Sequence, residues 1–394
     1  MRTSSDGSIP GPTPAAAAVA LAALLAAPHP ALAQDGRGDG DATEGPTVHV
    51  GGLLRTGPRI GPGDLGRDDG FRIHDARLRA SGRIGIVFDY FVQAEFEDRD
   101  DGLRLLDARL SLPVVPRLRV QLGQFKAPFG REEMQGKGEI TFVERSQITQ
   151  IVAPGRQVGI QLAGEALEDR LAYRAGVFNG NGRELENDGD SFLWAGRVSY
   201  NTVGPAHFYD ELVVEVGASL AFSDDSAATL AGPAELPAGR LGVRDPSVDL
   251  ASFRGERLLW GADLEAGYRG FFLRGEYLRG SFDPEGVPLV PGEDPADLDD
   301  DVIAEGGYLE GGYDLWGAVE GVVRWDAMNG FLESVDGQPV DAEGGEAHFL
   351  VFGLNLFPGF HTKIGLQYAA GLSGARRGPG LADGEFQLNA QVDF

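Results

Sequence analysis

The chain has 394 residues and a formal net charge of −26, with 60 Asp and Glu residues against 34 Lys and Arg residues. This acidic balance argues against a nucleic-acid-binding protein, because such a protein needs a basic surface to displace counterions. The chain has no cysteine, which excludes disulfides, thiolate metal sites and a cysteine nucleophile. The apolar fraction of 42% is that of a folded protein rather than a disordered one.

The first 33 residues have the order of features found in a secretory signal peptide. Arg2 is followed by the apolar run 15–27 and then by 31–33 (ALA), which fits an A-x-A cleavage site. The apolar run is too short for a helix that crosses a bilayer, so a membrane anchor is the weaker interpretation. The predicted organisation is a signal peptide over 1–33, a disordered leader over 34–46 and one folded unit over 47–394.

Apolar and polar residues alternate with a period of two along most of the remaining chain, which is the pattern of half-buried β-strands. The clearest example is 386–394 (FQLNAQVDF), where apolar residues take every second position. Most such segments have the length of a tilted strand that crosses a membrane, about 8–12 residues, whereas soluble strands average about 5–6. The predicted strands are 47–55, 71–82, 84–96, 103–112, 117–125, 156–163, 171–178, 193–200, 212–222, 259–268, 271–279, 304–313, 316–326, 347–357, 360–370 and 384–394.

The connections between these predicted strands are alternately long and short. The long ones include 126–155, 223–258 and 280–303, and the short ones include 269–270 and 358–359. Long loops on one side and tight turns on the other, with aromatic residues near the strand ends, are typical of an outer-membrane β-barrel. We therefore predict an all-β fold, a transmembrane antiparallel barrel of about sixteen strands in the bacterial outer membrane. Its third loop is long enough to fold inward and narrow the bore.

A barrel of this size leaves a water-filled bore, which makes passive passage of solutes the default function. The sequence has no G-K-[ST], H-E-x-x-H or G-x-S-x-G motif, so we expect no energy coupling, no cofactor and no enzymatic activity. The alternative hypothesis is a non-conducting structural or adhesive barrel whose bore is plugged by the loop 223–258. The acidic run 283–305 is more simply explained as a solvated loop than as a site for divalent cations that bridge lipopolysaccharide.

Several segments resemble one family of outer-membrane proteins. Segment 123–129 (GQFKAPF) resembles the GQFKxPF stretch of the phosphate-selective porins O and P, and the likeness continues through 140–146 (ITFVERS), 153–159 (APGRQVG), 173–180 (YRAGVFNG) and 352–357 (FGLNLF). The resemblance implies an outer-membrane channel, typically a trimer of sixteen-stranded barrels, with the third loop at the constriction. It also implies that anions are selected by lysines and by a ladder of arginines along the pore.

The resemblance makes Lys126 the first candidate for a cation at the constriction. Arg145 and Arg156 also match motif positions, but Arg145 is equally well explained as a residue that ties the loop together. Arg156 is favoured as an anchor between the loop and the barrel wall. Arg131 and Lys137 lie in the same segment, 126–156, which carries five cations against four glutamates.

Assigning the polar phase of each strand to the bore places charges of both signs there. The first half of the chain leans basic and the second half acidic, which predicts a transverse field across the bore. His74-Asp75 stands where relatives often have two adjacent basic residues, so a weakly selective channel for small hydrophilic solutes is the safer prediction than strict phosphate specificity. The expected partners are such solutes or anions, outer-membrane lipid and lipopolysaccharide, and two further copies of the chain. The bore residues predicted from this phase are Arg77, Arg79, Arg109, Arg119, Arg174, Arg197 and Asp107.

Overall fold

A computed structural model gives the architecture of most of the chain. The predicted signal peptide and nearly all of the predicted leader lie outside the described residues, as do most of the acidic run and the central part of the loop 223–258. The described residues are 46–61, 69–85, 88–96, 103–185, 187, 191–203, 212–228, 253–284, 302–315, 317–332, 346–359, 361–374, 377–378 and 380–394.

All sixteen predicted strands are present, and most continue for several residues beyond the predicted ends towards the long loops. Two short helices, α1 (Arg131–Met134) and α2 (Gln147–Val152), lie in the third loop and were not predicted. The strands are β1 (His49–Ile60), β2 (Gly70–Ile84), β3 (Phe88–Phe96), β4 (Leu103–Val115), β5 (Leu118–Lys126), β6 (Arg156–Ala166), β7 (Leu171–Phe178), β8 (Leu193–Asn201), β9 (Val213–Ala228), β10 (Phe253–Tyr268), β11 (Phe271–Pro284), β12 (Val302–Leu315), β13 (Val319–Leu332), β14 (Glu346–Gly359), β15 (Thr362–Gly374), β16 (Arg377–Gly378), β17 (Leu381–Ala382) and β18 (Glu385–Asp393).

Sixteen of these strands form one closed antiparallel barrel, and β16 and β17 form a separate small hairpin. Each barrel strand pairs with its neighbour in sequence, and the barrel closes where β1 pairs with β18, with Leu53 opposite Asp393. Closure removes the free strand edges that would otherwise leave backbone groups unpaired in a membrane. The predicted sixteen-stranded barrel is therefore confirmed.

The two faces of the barrel wall differ in polarity. Residues such as Leu110, Leu122, Leu220 and Leu354 alternate outward and are exposed on the outside, whereas the residues between them face the bore. Outward aromatic residues lie at both ends of the strands, with Trp194, Trp260, Tyr277 and Trp325 towards the long loops and Tyr200, Tyr268, Phe271 and Tyr313 towards the short turns. An apolar band between two aromatic girdles is the outer surface expected of a barrel solvated by lipid. No helix among the described residues is long and apolar enough to cross a membrane.

The predicted alternation of connection lengths is also confirmed. The tight turns join β4 to β5, β10 to β11 and β14 to β15 at one rim, and the long connections, including the third loop, leave the other rim. The last residues of β18 lie at the rim with the tight turns, because they pair with the first residues of β15, which follow the tight turn from β14. The first part of β1 lies beside them, since Leu53 is opposite Asp393. In outer-membrane barrels the rim with short turns faces the periplasm.

A close contact between Gly164 of β6 and Tyr173 of β7 stabilises the outer surface. The two residues are paired, and a Cβ atom at Gly164 would clash with the Tyr173 hydroxyl oxygen. The tyrosine ring therefore lies across the glycine, where it covers backbone that glycine leaves bare.

We predict that Gly164→Val destabilises the barrel by about 1–3 kcal/mol, because the new side chain displaces the Tyr173 ring. Urea unfolding from lipid vesicles, followed by tryptophan fluorescence, measures this loss. Gly321→Val is the matched control, since Gly321 lies on β13 with nothing within 4 Å of its Cβ direction. An equal loss in both variants would contradict the role given to the Tyr173 ring.

Candidate functional site

The third loop, defined here as residues 127–155, returns to its starting point and packs inside the barrel. Its base is closed by the Ala127 amide, which donates to the Gly155 carbonyl at 2.9 Å. Ile148, Ile151 and Val152 of α2 are buried against apolar residues of the inner wall, which come from strands β7 to β13. Phe142 packs in a second apolar cluster with residues of β11, β13, β14 and β15. Burial of apolar surface therefore favours the inward position of the loop.

Charged residues attach α1 to the wall through a closed ring of ion pairs. Arg131 pairs with Glu265 of β10, Glu265 with Arg274 of β11 at 2.7 Å, and Arg274 with Glu310 of β12 at 3.4 Å. Arg324 of β13 then binds both Glu310 and Glu132, each at 2.8 Å. Arg131 and Glu132 are neighbours in the chain, so the loop itself closes the ring. The ring holds three cations and three anions, and each charge has at least one partner of opposite sign.

Two wall carboxylates bind backbone amides at the starts of the two helices. Glu276 of β11 accepts hydrogen bonds from the amides of Arg131 at 2.5 Å and Glu132 at 3.0 Å. Gly130 precedes α1 with a φ of 69°, and a Cβ there would come within 3.0 Å of the Glu276 carboxylate. Asp326 of β13 accepts from the Gln147 amide at 3.3 Å and from its side chain at 3.0 Å. These carboxylates satisfy amide groups that a short helix leaves free at its first turn.

The far end of the third loop reaches strands on the opposite side of the β5–β6 junction. Lys363 of β15 donates to the Ile140 carbonyl at 2.6 Å, and Gln391 of β18 donates to the Gly138 carbonyl at 2.8 Å. Arg55 of β1 donates to the Val143 carbonyl. The loop is therefore fixed to strands around most of the inner wall.

A cavity of about 410 Å³ remains between the third loop and the inner faces of β2, β3, β4 and β6. Because the loop covers the wall from β7 to β15, this cavity is the candidate constriction. Its charged and titratable lining residues are His74, Asp75, Arg77, Glu95, Arg104, Glu133, Lys137, Glu144, Arg145, Arg156 and Arg183.

Two β-bulges add side chains to the wall of this cavity. On β2, Asp75 pairs with Arg55 and Ile73 with Thr56, so His74 is an extra residue without a partner in β1. On β4, Asp107 pairs with Gln93 and Leu105 with Ala94, so Leu106 is the extra residue. A bulge places two successive residues opposite one and re-aims a side chain, which is a recurrent device at functional sites.

Most cations at the cavity are already paired with carboxylates. Arg77 binds Asp75 at 2.5 Å and Glu95 at 2.8 Å, and Arg156 binds Asp107 at 2.9 Å. On the loop side, Arg145 lies 3.3 Å from Glu133 and Lys137 lies 2.9 Å from Glu144. A permeating anion therefore meets cations whose charge is partly neutralised.

The two loop carboxylates of the cavity stay ionised. Burial raises the pKa of Glu144, but Lys137, Arg55 and Arg59 outweigh that effect and hold the pKa at about 2. Burial likewise opposes ionisation of Glu133, but the nearby cations Arg145 and Lys126 lower the pKa of its carboxyl below the usual value. Both groups are therefore fixed negative charges at neutral pH.

A second group of cations lies on the wall nearer the rim with short turns. Arg119 of β5 and Arg174 of β7 are both paired with Ala163 of β6, so the two arginines lie on either side of this alanine. Arg109 of β4 is electrostatically coupled to both of them, and its guanidinium lies over the Phe91 ring at 5.5 Å. None of the three arginines forms an ion pair with any residue that the structure describes. We call Arg109, Arg119 and Arg174 the arginine patch.

Comparisons with known proteins agree with this geometry. The profile of a family described as phosphate-selective porin O and P matches residues 60–369. The chain belongs to the phosphate-selective porin O and P family. It therefore forms a channel in the bacterial outer membrane.

Solved porin structures share the fold at low sequence identity. The anion-selective porin from Comamonas acidovorans superposes with a TM-score of 0.59 at 14% identity, covering 89% of this chain and 100% of that one. OmpT of Vibrio cholerae in its trimer form gives 0.58 at 13% identity, over 89% and 100% of the two chains. Salmonella typhi OmpF in complex with daunomycin gives 0.57 at 11% identity, over 88% and 97%. A search of curated protein sequences gives no match.

In this porin the predicted loop cations take different positions. Lys126 donates to the Glu133 carbonyl at 2.5 Å and to the Gln135 carbonyl at 2.6 Å. Arg145 binds the Gln135 carbonyl at 2.8 Å and also donates to the carbonyls of Glu132 and Glu133. Lys126 and Arg145 therefore hold the 132–135 segment from one side, while Arg131 joins the ring on the other side.

The predicted wall cations also separate into two groups. Arg197 forms a two-point ion pair with Asp263 at 2.5 and 2.9 Å, and Arg79 lies 2.5 Å from Asp393. Arg77 and Arg156 are paired at the cavity, whereas the arginine patch is unpaired among the described residues. The expected excess of acid in the second half of the wall is largely compensated, because its carboxylates bind arginines or the third loop.

Sequence reasoning missed His74, Arg104 and Arg183 as residues of the cavity. The sequence does contain a sign of the bulge on β2. Polar residues occupy every second position up to Arg72 and His74, and the alternation then shifts by one residue to Asp75 and Arg77. It changes in the same way on β4, from Arg104 to Asp107 and Arg109. No comparable sequence pattern indicates Arg183, which lies in the connection between β7 and β8.

We predict that Arg324→Gln loosens the third loop of the porin. The substitution leaves Glu132 and Glu310 without their shared partner, and breaking a buried ion pair costs about 3–5 kcal/mol. Single-channel recordings in planar bilayers should then show a larger and noisier conductance than the wild type.

Arg279→Gln is the matched control for this experiment. Arg279 pairs with Glu305 at 2.6 Å on the outer surface, away from the bore. Its loss should leave the conductance unchanged. A wild-type conductance in the Arg324 variant would show that the ring does not hold the loop.

Proposed function

We propose that this porin admits small hydrophilic solutes by passive diffusion, favours anions, and catalyses no reaction. The sixteen-stranded barrel supplies a bore too wide to be filled by wall side chains alone. The third loop fills part of that bore, and the cavity of about 410 Å³ gives the remaining passage a restricted polar lining.

The arginine patch is the observation that carries the anion preference. Its three guanidinium groups lie beside one another on the wall, and no described carboxylate forms an ion pair with them. Arg119 and Arg174 are exposed, so their charge is available to ions in the bore. Arg197 stands directly opposite Arg174 and adds to the positive potential, although Asp263 neutralises part of its charge. Fixed charge of one sign in a narrow channel raises the local concentration of ions of the other sign.

The remaining predicted site residues shape the passage rather than bind ions strongly. We propose that Arg77, Arg156 and Lys137 present their charge at the cavity together with carboxylates such as Asp107. A phosphate dianion must compete with these fixed carboxylates for each guanidinium, which favours weak selection over tight phosphate binding. We propose that Lys126, Arg131 and Arg145 act at the constriction by holding the third loop in place.

We predict that the double substitution Arg119→Gln with Arg174→Gln lowers the chloride-to-potassium permeability ratio by roughly three- to tenfold, the scale expected for two unit charges in an aqueous pore. The reversal potential in a KCl gradient across a planar bilayer measures this ratio. The double substitution removes charge without removing any described ion pair, so the fold should be unaffected.

Arg117→Gln is the matched control, because Arg117 lies in the neighbouring tight turn, is exposed and pairs with Asp169. It should leave the reversal potential at the wild-type value. A wild-type channel that prefers potassium would contradict the proposed anion preference. Absence of any steady current would favour the plugged, non-conducting barrel instead. Addition of phosphate to the chloride solution should reduce chloride current only at millimolar or higher concentration, whereas block at micromolar phosphate would indicate a specific phosphate site.

We also propose that the porin is a homotrimer surrounded by outer-membrane lipid and lipopolysaccharide. The support is the shared fold with a porin solved in a trimer form. Unheated protein in detergent should sediment at three times the chain mass, and boiling should convert it to the monomer. A sedimentation mass of one chain before heating would contradict the trimer.

A further inference from the structure

His74 lies at the constriction as a direct result of the bulge on β2. The strand register skips it, since Asp75 pairs with Arg55 and Ile73 with Thr56. The imidazole lines the same cavity as Arg77 and Glu144. Its Nε2 atom is buried and has no hydrogen-bond partner among the residues that the structure describes. The ring is therefore a titratable group on the wall of the cavity, and no described residue forms a hydrogen bond with its Nε2 atom.

The groups that face the imidazole are mostly fixed charges. Burial opposes protonation of the imidazole, and so do Arg55 and Arg59 of β1, whereas Glu144 of the third loop, its strongest charged neighbour, and Asp75 on its own strand favour protonation. Glu144 remains ionised because its pKa is about 2. Arginine does not lose its proton in proteins. The other charged residues around the imidazole and its neighbours are Arg77 of β2, Glu95 of β3, Lys137 of the third loop and Glu385 of β18, which binds Arg59.

Histidine differs from these neighbours because its ordinary pKa of about 6.5 lies within the physiological range. Glu144 is bound by Lys137 at 2.9 Å and lies 3.9 Å from Arg59, and its negative charge favours a protonated imidazole at His74. A protonated imidazole would share the attraction of this carboxylate with the two cations. It would also weaken the hold of Glu144 on Lys137 and leave more positive charge facing the cavity.

We infer that His74 is a proton-titratable selectivity residue, which strengthens the anion preference of the channel when the external medium becomes acidic. The inference rests on the proposed diffusion of ions through the cavity between the third loop and β2. Protonation at low pH adds one positive charge at this place, and deprotonation at high pH removes it. The sign of the effect is therefore a higher chloride-to-potassium permeability ratio at low pH.

The test measures that ratio from reversal potentials in a KCl gradient at pH 8 and at pH 5. For the wild type we expect a rise of roughly two- to fivefold on acidification, the scale of one unit charge in an aqueous pore. His74→Gln should abolish most of the rise, and His74→Arg should give the high ratio at both pH values. His348→Gln is the matched control, because His348 lies beside Trp325 on the outer surface and pairs with Glu346. It should keep the wild-type response.

The outcomes separate this inference from the proposed function. A wild-type channel that prefers chloride equally at pH 8 and pH 5 would overturn the role of His74 and leave the anion preference intact. A channel that prefers potassium, but shifts towards chloride on acidification only when His74 is present, would support His74 and overturn the anion preference. An unchanged pH response in His74→Gln would also overturn the inference. If His74→Gln fails to fold, a pH response of wild-type size in His74→Arg would overturn the inference instead.

Discussion

The attachment of the third loop to the inner wall is the constraint on which the rest of the molecule depends. Covering a polar wall with a polar loop removes water from both surfaces, and each buried charge then needs a partner of opposite sign. The ring that contains Arg131, Glu132 and Arg324 meets this requirement with equal numbers of cations and anions. The wall carboxylates Glu276 and Asp326 meet it for the backbone amides of the two helices.

This pairing also decides which charges are available to solutes. Arg274 and Arg324 carry the same positive charge as the residues of the arginine patch, but ion pairs with Glu265, Glu310 and Glu132 within the loop attachment neutralise it. The net charge of −26 therefore says little about the bore. The third loop covers much of the acidic second half of the wall, and arginines bind several of its carboxylates, so fewer unpaired charges remain there to produce the predicted transverse field.

The sequence predicted the barrel well because one physical rule applies to every strand. A wall one residue thick between lipid and water forces apolar and polar residues to alternate, so 386–394 and its counterparts were recognisable without any knowledge of pairing. The alternation of long and short connections then showed which strand ends share each rim. The positions of individual charges were less predictable, since Lys126 and Arg145 bind carbonyl groups whose places depend on how the third loop folds. Only the register between distant strands, such as Arg79 with Asp393, shows which charges are neutralised.

The bulges explain how the wall opposite the third loop becomes rich enough in side chains to form a constriction. A regular strand sends every second residue into the bore, so the loop alone would face a sparse surface there. The extra residues His74 and Leu106 break this limit at two neighbouring places. Each bulge is followed by an aspartate that holds an arginine, Asp75 with Arg55 and Asp107 with Arg156. The irregular strands and the inward loop therefore form one structure, in which the loop sets the width of the passage and the bulges set the chemistry of its remaining wall.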